Sequence, residues 1–258
     1  MIQAAAANAI CIEKVGKTFD EPIQDNSAYV LRDVDLLVNE GEFFILLGPS
    51  GCGKSTLLNL IAGFIKTSEG ALRLGSQNIK QHSSQRAMVF QNAEAALFPW
   101  LTVRENVEFG LKMKKLSQQE RKPITDHYLE IVGLLKDEQK FPHELSGGMK
   151  QRVQLARVLA NNPKILLMDE PFGALDAMTR RSMQKEVVHI WQKTKKTIVF
   201  VTHDIQEALL LGQRIGIMSV GPDSKIVDII KVPFSYPRDN TSVTFNKLYE
   251  KVEQHFEL

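Results

Sequence analysis

Short apolar runs broken by glycines and polar turns open the chain and return near its end, with a longer helical stretch between them. Residues 10–19 and 30–38 read as two strands joined by the polar turn "DEPIQDNSA". "EFFILL" (42–47) is a short apolar run bounded by glycines, which predicts a buried strand. A helix is expected from Lys54 to Ala62, with Gly63 placed to end it. "GALRLG" and "RAMVFQ" read as further strands.

From about 95 to 162 the pattern turns helical, in "VRENVEFGLKMKK", "SQQERKPITDHYLEIVGLL" and "GGMKQRVQLARVLANN". The last of these ends before Pro163, because a residue preceding proline is pushed out of the helical region. Strands then return as "KILLMD" and "TIVFVT", alternating with helices around 178–193 and 205–211. Alternation of strand and helix with continuous apolar strands predicts an α/β fold, its mostly parallel sheet covered on both faces. "RIGIMSV" and "KIVDIIKV" read as closing strands, and "TSVTFNKLYEKVEQHF" as an amphipathic C-terminal helix over 241–258.

Composition narrows the classes. The chain has 258 residues, 43% of them hydrophobic and 24% charged, the profile of a soluble globular protein. A formal net charge of +2 gives no basic excess that would suggest nucleic acid. Two cysteines, Cys11 and Cys52, sit in unrelated contexts, so no disulfide framework or metal site is implied and a reducing compartment is expected. "MIQAAAANAICIEKV" has no basic residue before Lys14 and no long apolar core, so it does not read as a secretory signal. Apolar runs are far shorter than the ~20 residues of a membrane helix. Any membrane role is therefore expected to come through a partner.

"GPSGCGKST", comprising Gly48, Pro49, Ser50, Gly51, Cys52, Gly53, Lys54, Ser55 and Thr56, fits G-x-x-x-x-G-K-[ST] directly between a strand and a helix. That context makes it a phosphate-binding loop: backbone amides wrap the phosphates, Lys54 reaches the β and γ phosphates, and the Ser55 hydroxyl is available to Mg²⁺. "KILLMDE" ends an apolar strand in Asp169, placed to hold the metal, and Glu170, placed to activate water. Beside a phosphate loop, this reading displaces the bland one of two solvated carboxylates. A second anion site reads from "ELSGGMKQRVQLAR": Ser146 is a good N-cap, Gly147 and Gly148 leave bare amides, and Lys150 and Arg152 follow. Taken singly, Gln91 is a loop glutamine, His203 a strand-end histidine and Asp176 an N-cap.

The order of phosphate loop, Gln91, "LSGGM", "LLMDE", "ALD" and "THD" resembles the ATP-binding cassette (ABC) family across nearly the whole chain. The resemblance implies a P-loop NTPase core over about 1–94 and 163–232, with an N-terminal antiparallel β region and a helical subdomain inserted over about 95–162. Residues 1–240 would form one ATPase domain, ahead of the C-terminal helix at 241–258. It implies ATP and Mg²⁺ as cofactors, with Phe19 stacking on adenine and Gln91 touching Mg²⁺ and the attacking water. Glu170 would be the general base, His203 would contact the γ phosphate, and Asp176 would lie in the loop linking two active sites. In this family two cassettes pack head to tail, so the second anion site, at Ser146, Gly147, Gly148 and Met149, would cover the ATP of a second cassette, identical or related. Met149 stands where the commonest signature has glutamine, a change expected to retune the site.

The competing classes are an importer subunit, a cassette acting on DNA or ribosomes, and a soluble P-loop kinase. DNA cassettes insert a long coiled coil between phosphate loop and signature, and none is seen between Lys54 and Ser146; ribosomal relatives usually carry two cassettes per chain. A kinase has no use for the signature. "LFPWLTVRENV" (97–107), with "LSGGMKQR", "DEPFGALDA" and "VPFSYPRD", resembles importer ATPases of the nitrate, sulfonate, taurine and bicarbonate type. The "GPDSK" turn departs from the basic, glycine-rich turn common there. The implied partners are membrane-spanning permease subunits and, indirectly, a solute-binding protein, with no nucleic acid and a peripheral place on the cytoplasmic face of the cell membrane. Trp100 reads either as a core aromatic or as part of a partner surface.

Overall fold

The computed structural model describes residues 8–20, 28–79 and 81–256. The chain runs through β1 (Asn8–Thr18), β2 (Tyr29–Asn39), β3 (Phe43–Leu47), α1 (Lys54–Ala62), β4 (Glu69–Leu74), β5 (Gln77–Asn78) and β6 (Arg86–Val89). The helical stretch holds α2 (Ala93–Ala96), α3 (Val103–Met113), α4 (Gln118–Ile131) and α5 (Gly147–Ala160). After it come β7 (Ile165–Asp169), α6 (Ala177–Thr194), β8 (Thr197–Thr202), α7 (Ile205–Leu211), β9 (Arg214–Met218), β10 (Ile226–Lys231) and α8 (Val243–Glu253). Positions 21–27 of the polar turn, and the alanine tract at 4–7, lie outside the described residues. The chain divides into two compact units, Met1–Ser83 with Lys195–Leu258, and Ser84–Thr194.

In the first unit β3 runs parallel to both β8 and β9, pairing Phe43 with Ile198 and Phe44 with Arg214. Every residue of β3 and β8 is buried, as strands covered on both faces require. Each fully buried Phe, Leu, Ile or Val there contributes roughly 1.5–3 kcal/mol. β10 closes this sheet antiparallel to β9. A separate antiparallel sheet joins β2, β1, β4 and β5, so the expected N-terminal β region is present. The turn after β9 comes back to β2: Ser224 N–H donates to Val30 C=O at 3.2 Å, and Arg32 N–H to Ser224 C=O at 3.1 Å. α1 has the predicted bounds and closes at Gly63, whose N–H donates to Asn59 and Leu60.

In the second unit β6 and β7 pair in parallel, Arg86 with Ile165 through Val89 with Met168. The helices carry their own start signals. Thr102 and Glu105 form a capping box on α3, and Ser117 and Glu120 another on α4, each satisfying otherwise orphaned first-turn amides. α5 ends at an Asn161 cap ahead of Pro163, as the proline predicts, and Asn162 between them is left-handed at φ 53°. Arg104 bridges α3, α4 and the turn after α4 through Glu108, Asp126 and Glu138. Two short elements, α2 and β5, were not separable in the sequence: four and two residues are too few for any period to show.

Candidate nucleotide site

The phosphate loop lies in the first unit. It leaves the buried end of β3 and turns into α1 through Gly53, which sits at φ 86°. A Cβ there would stand in a left-handed conformation and 2.7 Å from Leu31 Cδ2, so the motif's glycine is required twice over. No side chain caps α1 and no acid occupies its first turn, so nothing there opposes an anion at the positive end of its dipole. Lys54 is buried, and its Nζ donates to the carbonyls of Gly48 at 2.7 Å and Pro49 at 2.8 Å. The ammonium is thus held over the mouth of the loop it serves. Beside the loop opens a cavity of about 360 Å³, lined by Tyr29, Val30, Ser50, Gly51, Cys52 and Pro222 among others. That volume is in the range of small-molecule sites.

Two further candidates belong to this unit. Phe19 stands just past β1 with its ring 62% exposed and Lys17 Nζ 4.8 Å from its centre, an accessible face for stacking. His203 occupies the step between β8 and α7. Its neighbours fix that step: Thr202 Oγ1 donates to buried Glu207 at 2.6 Å, and Asp204 accepts from the Glu207 N–H at 3.0 Å as the cap of α7.

The second unit holds the acids, Gln91 and the signature. Asp169 is the last residue of β7, and Glu170 follows at φ 40°, a left-handed backbone that a non-glycine residue adopts under strain. Gln91 lies two residues past β6. Its Nε2 sits 2.8 Å from where a Cβ on Gly173 would be, so Gln91 reaches the turn that follows Glu170. At the signature, Ser146 caps α5 and accepts from the Met149 N–H at 3.4 Å. Gly148 lets α5 approach α6: a Cβ there would lie 2.4 Å from Thr179 Cγ2. Asp176 does cap α6, accepting from the Met178 and Thr179 amides at 3.0 Å, and the Thr179 hydrogen bonds hold its carboxyl below the usual carboxylate range. The signature and the Asp176 loop are therefore one packed cluster. Lys150 and Arg152 correct the expectation. Lys150 pairs with Glu94 at 2.7 Å, and Arg152 donates to Val132 C=O and Ser182 Oγ, so the pull on an anion here comes from amides and helix dipole.

The family model for ABC transporters matches residues 31–173. The nitrate import ATP-binding protein NrtD of Synechococcus elongatus is 43% identical, over 92% of this chain and 86% of its own. The chain belongs to the ABC transporter family. The taurine import ATP-binding protein TauB of Jannaschia sp. is 46% identical over 88% of this chain and 83% of its own. Among solved structures, the dimeric post-hydrolysis state of the ATP-binding cassette MJ0796 bound to ADP and Pi matches with a TM-score of 0.71 and 33% identity. It covers 88% of this chain and 100% of that one. The chain is thus an ABC ATPase, its relatives are import ATP-binding subunits, and its fold is that of a P-loop NTPase. Among the described residues no helix is long and apolar enough to cross a membrane.

Of the two readings of Trp100, the core aromatic is excluded in this ABC cassette. The Trp100 side chain is 70% exposed. The loop that presents it is nonetheless rigid. Buried Asn106 of α3 donates through Nδ2 to the carbonyls of Phe98, Leu101 and Thr102, and accepts from the Phe98 N–H at 2.9 Å. Phe98 in turn packs on Phe109 and lies under the Arg157 guanidinium at 4.3 Å. Sequence reasoning missed Asn106, although a signal existed: an asparagine inside the stripe formed by Val103, Val107 and Leu111 is a buried amide that must bond something.

Proposed function

We propose that this chain is the ATP-hydrolysing subunit of an importer that takes up a small anionic solute through separate permease subunits. The observation that carries the reading is one chain with every nucleotide motif in order, 43–46% identical over most of its length to proteins named for nitrate and taurine import. The phosphate-loop amides and Lys54 would hold the triphosphate, and Phe19 would stack on the adenine. Ser55, Gln91 and Asp169 offer hydroxyl, amide and carboxylate oxygens, the hard donor set that suits Mg²⁺. Bound there, Mg²⁺ would neutralise developing phosphate charge. Glu170 takes the proton from the attacking water, Gln91 orients that water, and His203 meets the γ phosphate. Ser146, Gly147, Gly148 and Met149 close over the ATP of a second cassette, identical or closely related, with Asp176 between the sites. The dimer recorded for the MJ0796 cassette supports the pairing with a second cassette.

Exposed Trp100, on a rigid loop nine residues past Gln91 in the chain, is the surface offered to a permease at the cytoplasmic face of the membrane. The test is transport itself. Vesicles carrying the chain with its permease partners should accumulate anion only with internal ATP. Glu170→Gln should keep ATP binding yet slow hydrolysis ~10²–10⁴-fold and stop uptake, because the water loses its base. Hydrolysis within tenfold of the parent removes Glu170 from this role, and ATP-independent uptake rejects the importer reading.

A further inference from the structure

The backbone of β6 ends its ladder at Val89, paired with Met168, and Gln91 follows only two residues later. Between them Phe90 has to place one N–H and one C=O. Both go to a side chain of α5. In the one amide orientation that satisfies both groups, Gln154 accepts from the Phe90 N–H at 2.9 Å and donates to the Phe90 C=O at 3.2 Å. A single buried glutamine thus does the work of an adjacent strand at the residue next to Gln91. It has company at helical spacing. Lys150 and Arg157 stand four residues before and three after it, on the same stripe of α5. Lys150 reaches Glu94 at 2.7 Å, and Arg157 donates to Ala96 C=O at 2.6 Å while covering the Phe98 ring. One face of the signature helix therefore grips the Gln91 segment on both sides of Gln91.

We propose that Gln154 is a positioning residue for Gln91, and that through it the signature helix and the Gln91 segment move as one body. Its two hydrogen bonds fix the pivot from which the Gln91 side chain swings. A shift of the first turn of α5, where the neighbouring cassette's ATP is met, is carried to Gln91 without slack. This rests on the reading that Gln91 serves the γ phosphate. Nucleotide binding by the phosphate loop does not pass through the clamp, whereas alignment of the attacking water does.

Gln154→Met keeps the length and removes both polar atoms. In the full chain it should lower kcat for ATP about tenfold while KM stays within about twofold, the pattern of lost alignment rather than lost binding. Amide exchange at Phe90 should become faster in the same variant. Gln91→Ala, measured alongside, separates the two levels. If Gln91→Ala is impaired and Gln154→Met keeps kcat within about twofold of the parent, the positioning role is overturned; so it is if kcat is kept and KM rises instead. If Gln91→Ala itself keeps the parent rate, the failure belongs to the reading of Gln91, and unchanged Phe90 exchange would then overturn the clamp as well. Should Gln154→Met fail to fold, Gln154→Glu is judged by the same criteria, since its carboxylate keeps the acceptor for the Phe90 N–H and loses the donor.

Discussion

Replacing Asn106 with leucine tests how the Trp100 loop is held. The side chain is fully buried, and the substitution keeps its count of heavy atoms and its branch point while removing every polar atom. Four hydrogen bonds disappear, but not all four partners are stranded. Phe98 C=O still accepts from the Leu101 N–H at 3.1 Å, and Thr102 C=O still accepts from the Asn106 N–H at 2.9 Å. What loses its partner is the Phe98 N–H and the Leu101 C=O. Each such group costs ~1–3 kcal/mol when it cannot reach water. Phe98 and Leu101 are only half-buried, so the lower part of that range applies and the pair comes to about 3 kcal/mol. For a chain of this size that is a fall in melting temperature of roughly 6–12 °C.

The functional consequence should differ from the thermal one. Asn106 touches the loop that carries Trp100 and none of the residues assigned to the phosphates, so hydrolysis by the isolated chain should persist below the new melting point. Capture by co-expressed permease subunits should weaken, because the loop no longer presents its tryptophan in one place. Calorimetry and a pull-down from detergent extracts read the two effects separately. A melting loss under about 2 °C would refute the bookkeeping of stranded groups, and undiminished capture would refute the link from Asn106 to the partner surface.

Two further outcomes follow from the site. Glu170→Gln with ATP should form dimers visible by light scattering, and adding Ser146→Arg should abolish them while nucleotide binding by the phosphate loop survives; dimers that persist place the signature outside the interface. Trp100→Ala should leave hydrolysis and melting close to the parent, since the ring is mostly exposed, yet cost ~2 kcal/mol or more in permease capture; undiminished capture would remove Trp100 from the partner surface.

The strands were legible because their signal is local. "FFILL" and "TIVFVT" are buried end to end, and five or six such residues between glycine and polar turns are too few for a buried helix, which leaves a strand. Gly53 and Gly63 likewise wrote the ends of α1 into the sequence, since left-handed backbone favours glycine. The phosphate loop was legible for the same reason, its residues being consecutive. Partner choice across the chain was not. Nothing in "GGMKQRVQLAR" says that Lys150 turns to Glu94, that Arg152 reaches Val132, or that Gln154 bonds the backbone of Phe90, because each bond depends on a packing that brings distant segments together. The same holds for Glu170. Its acid is visible in "LLMDE", but nothing in those residues announces its left-handed backbone at φ 40°.

Tyr236 offers a test of how the tail is tied to the helix that follows His203. Its hydroxyl donates to Leu211 C=O at the end of α7, and Arg238 Nη1 donates to Leu209 C=O at 2.7 Å and Gly212 C=O at 2.6 Å, so two tail residues cap one helix. Burial pushes the Tyr236 phenol up to about 12, against the opposing pull of Arg238. The sign follows from which form the fold prefers. A phenol harder to ionise in the folded state than in the unfolded one adds stability that is fully present below the unfolded value near 10 and is lost as pH climbs toward 12. Two pH decades of difference amount to roughly 2.7 kcal/mol. At pH 8 Tyr236→Phe should be less stable than the parent by about 1 kcal/mol, the worth of one hydrogen bond. Between pH 10 and 12 the parent should lose stability more steeply than the variant, so the two melting curves against pH converge and then cross. Parallel curves over that interval would mean that the phenol is not buried in the way described, and that Arg238 alone secures the end of α7.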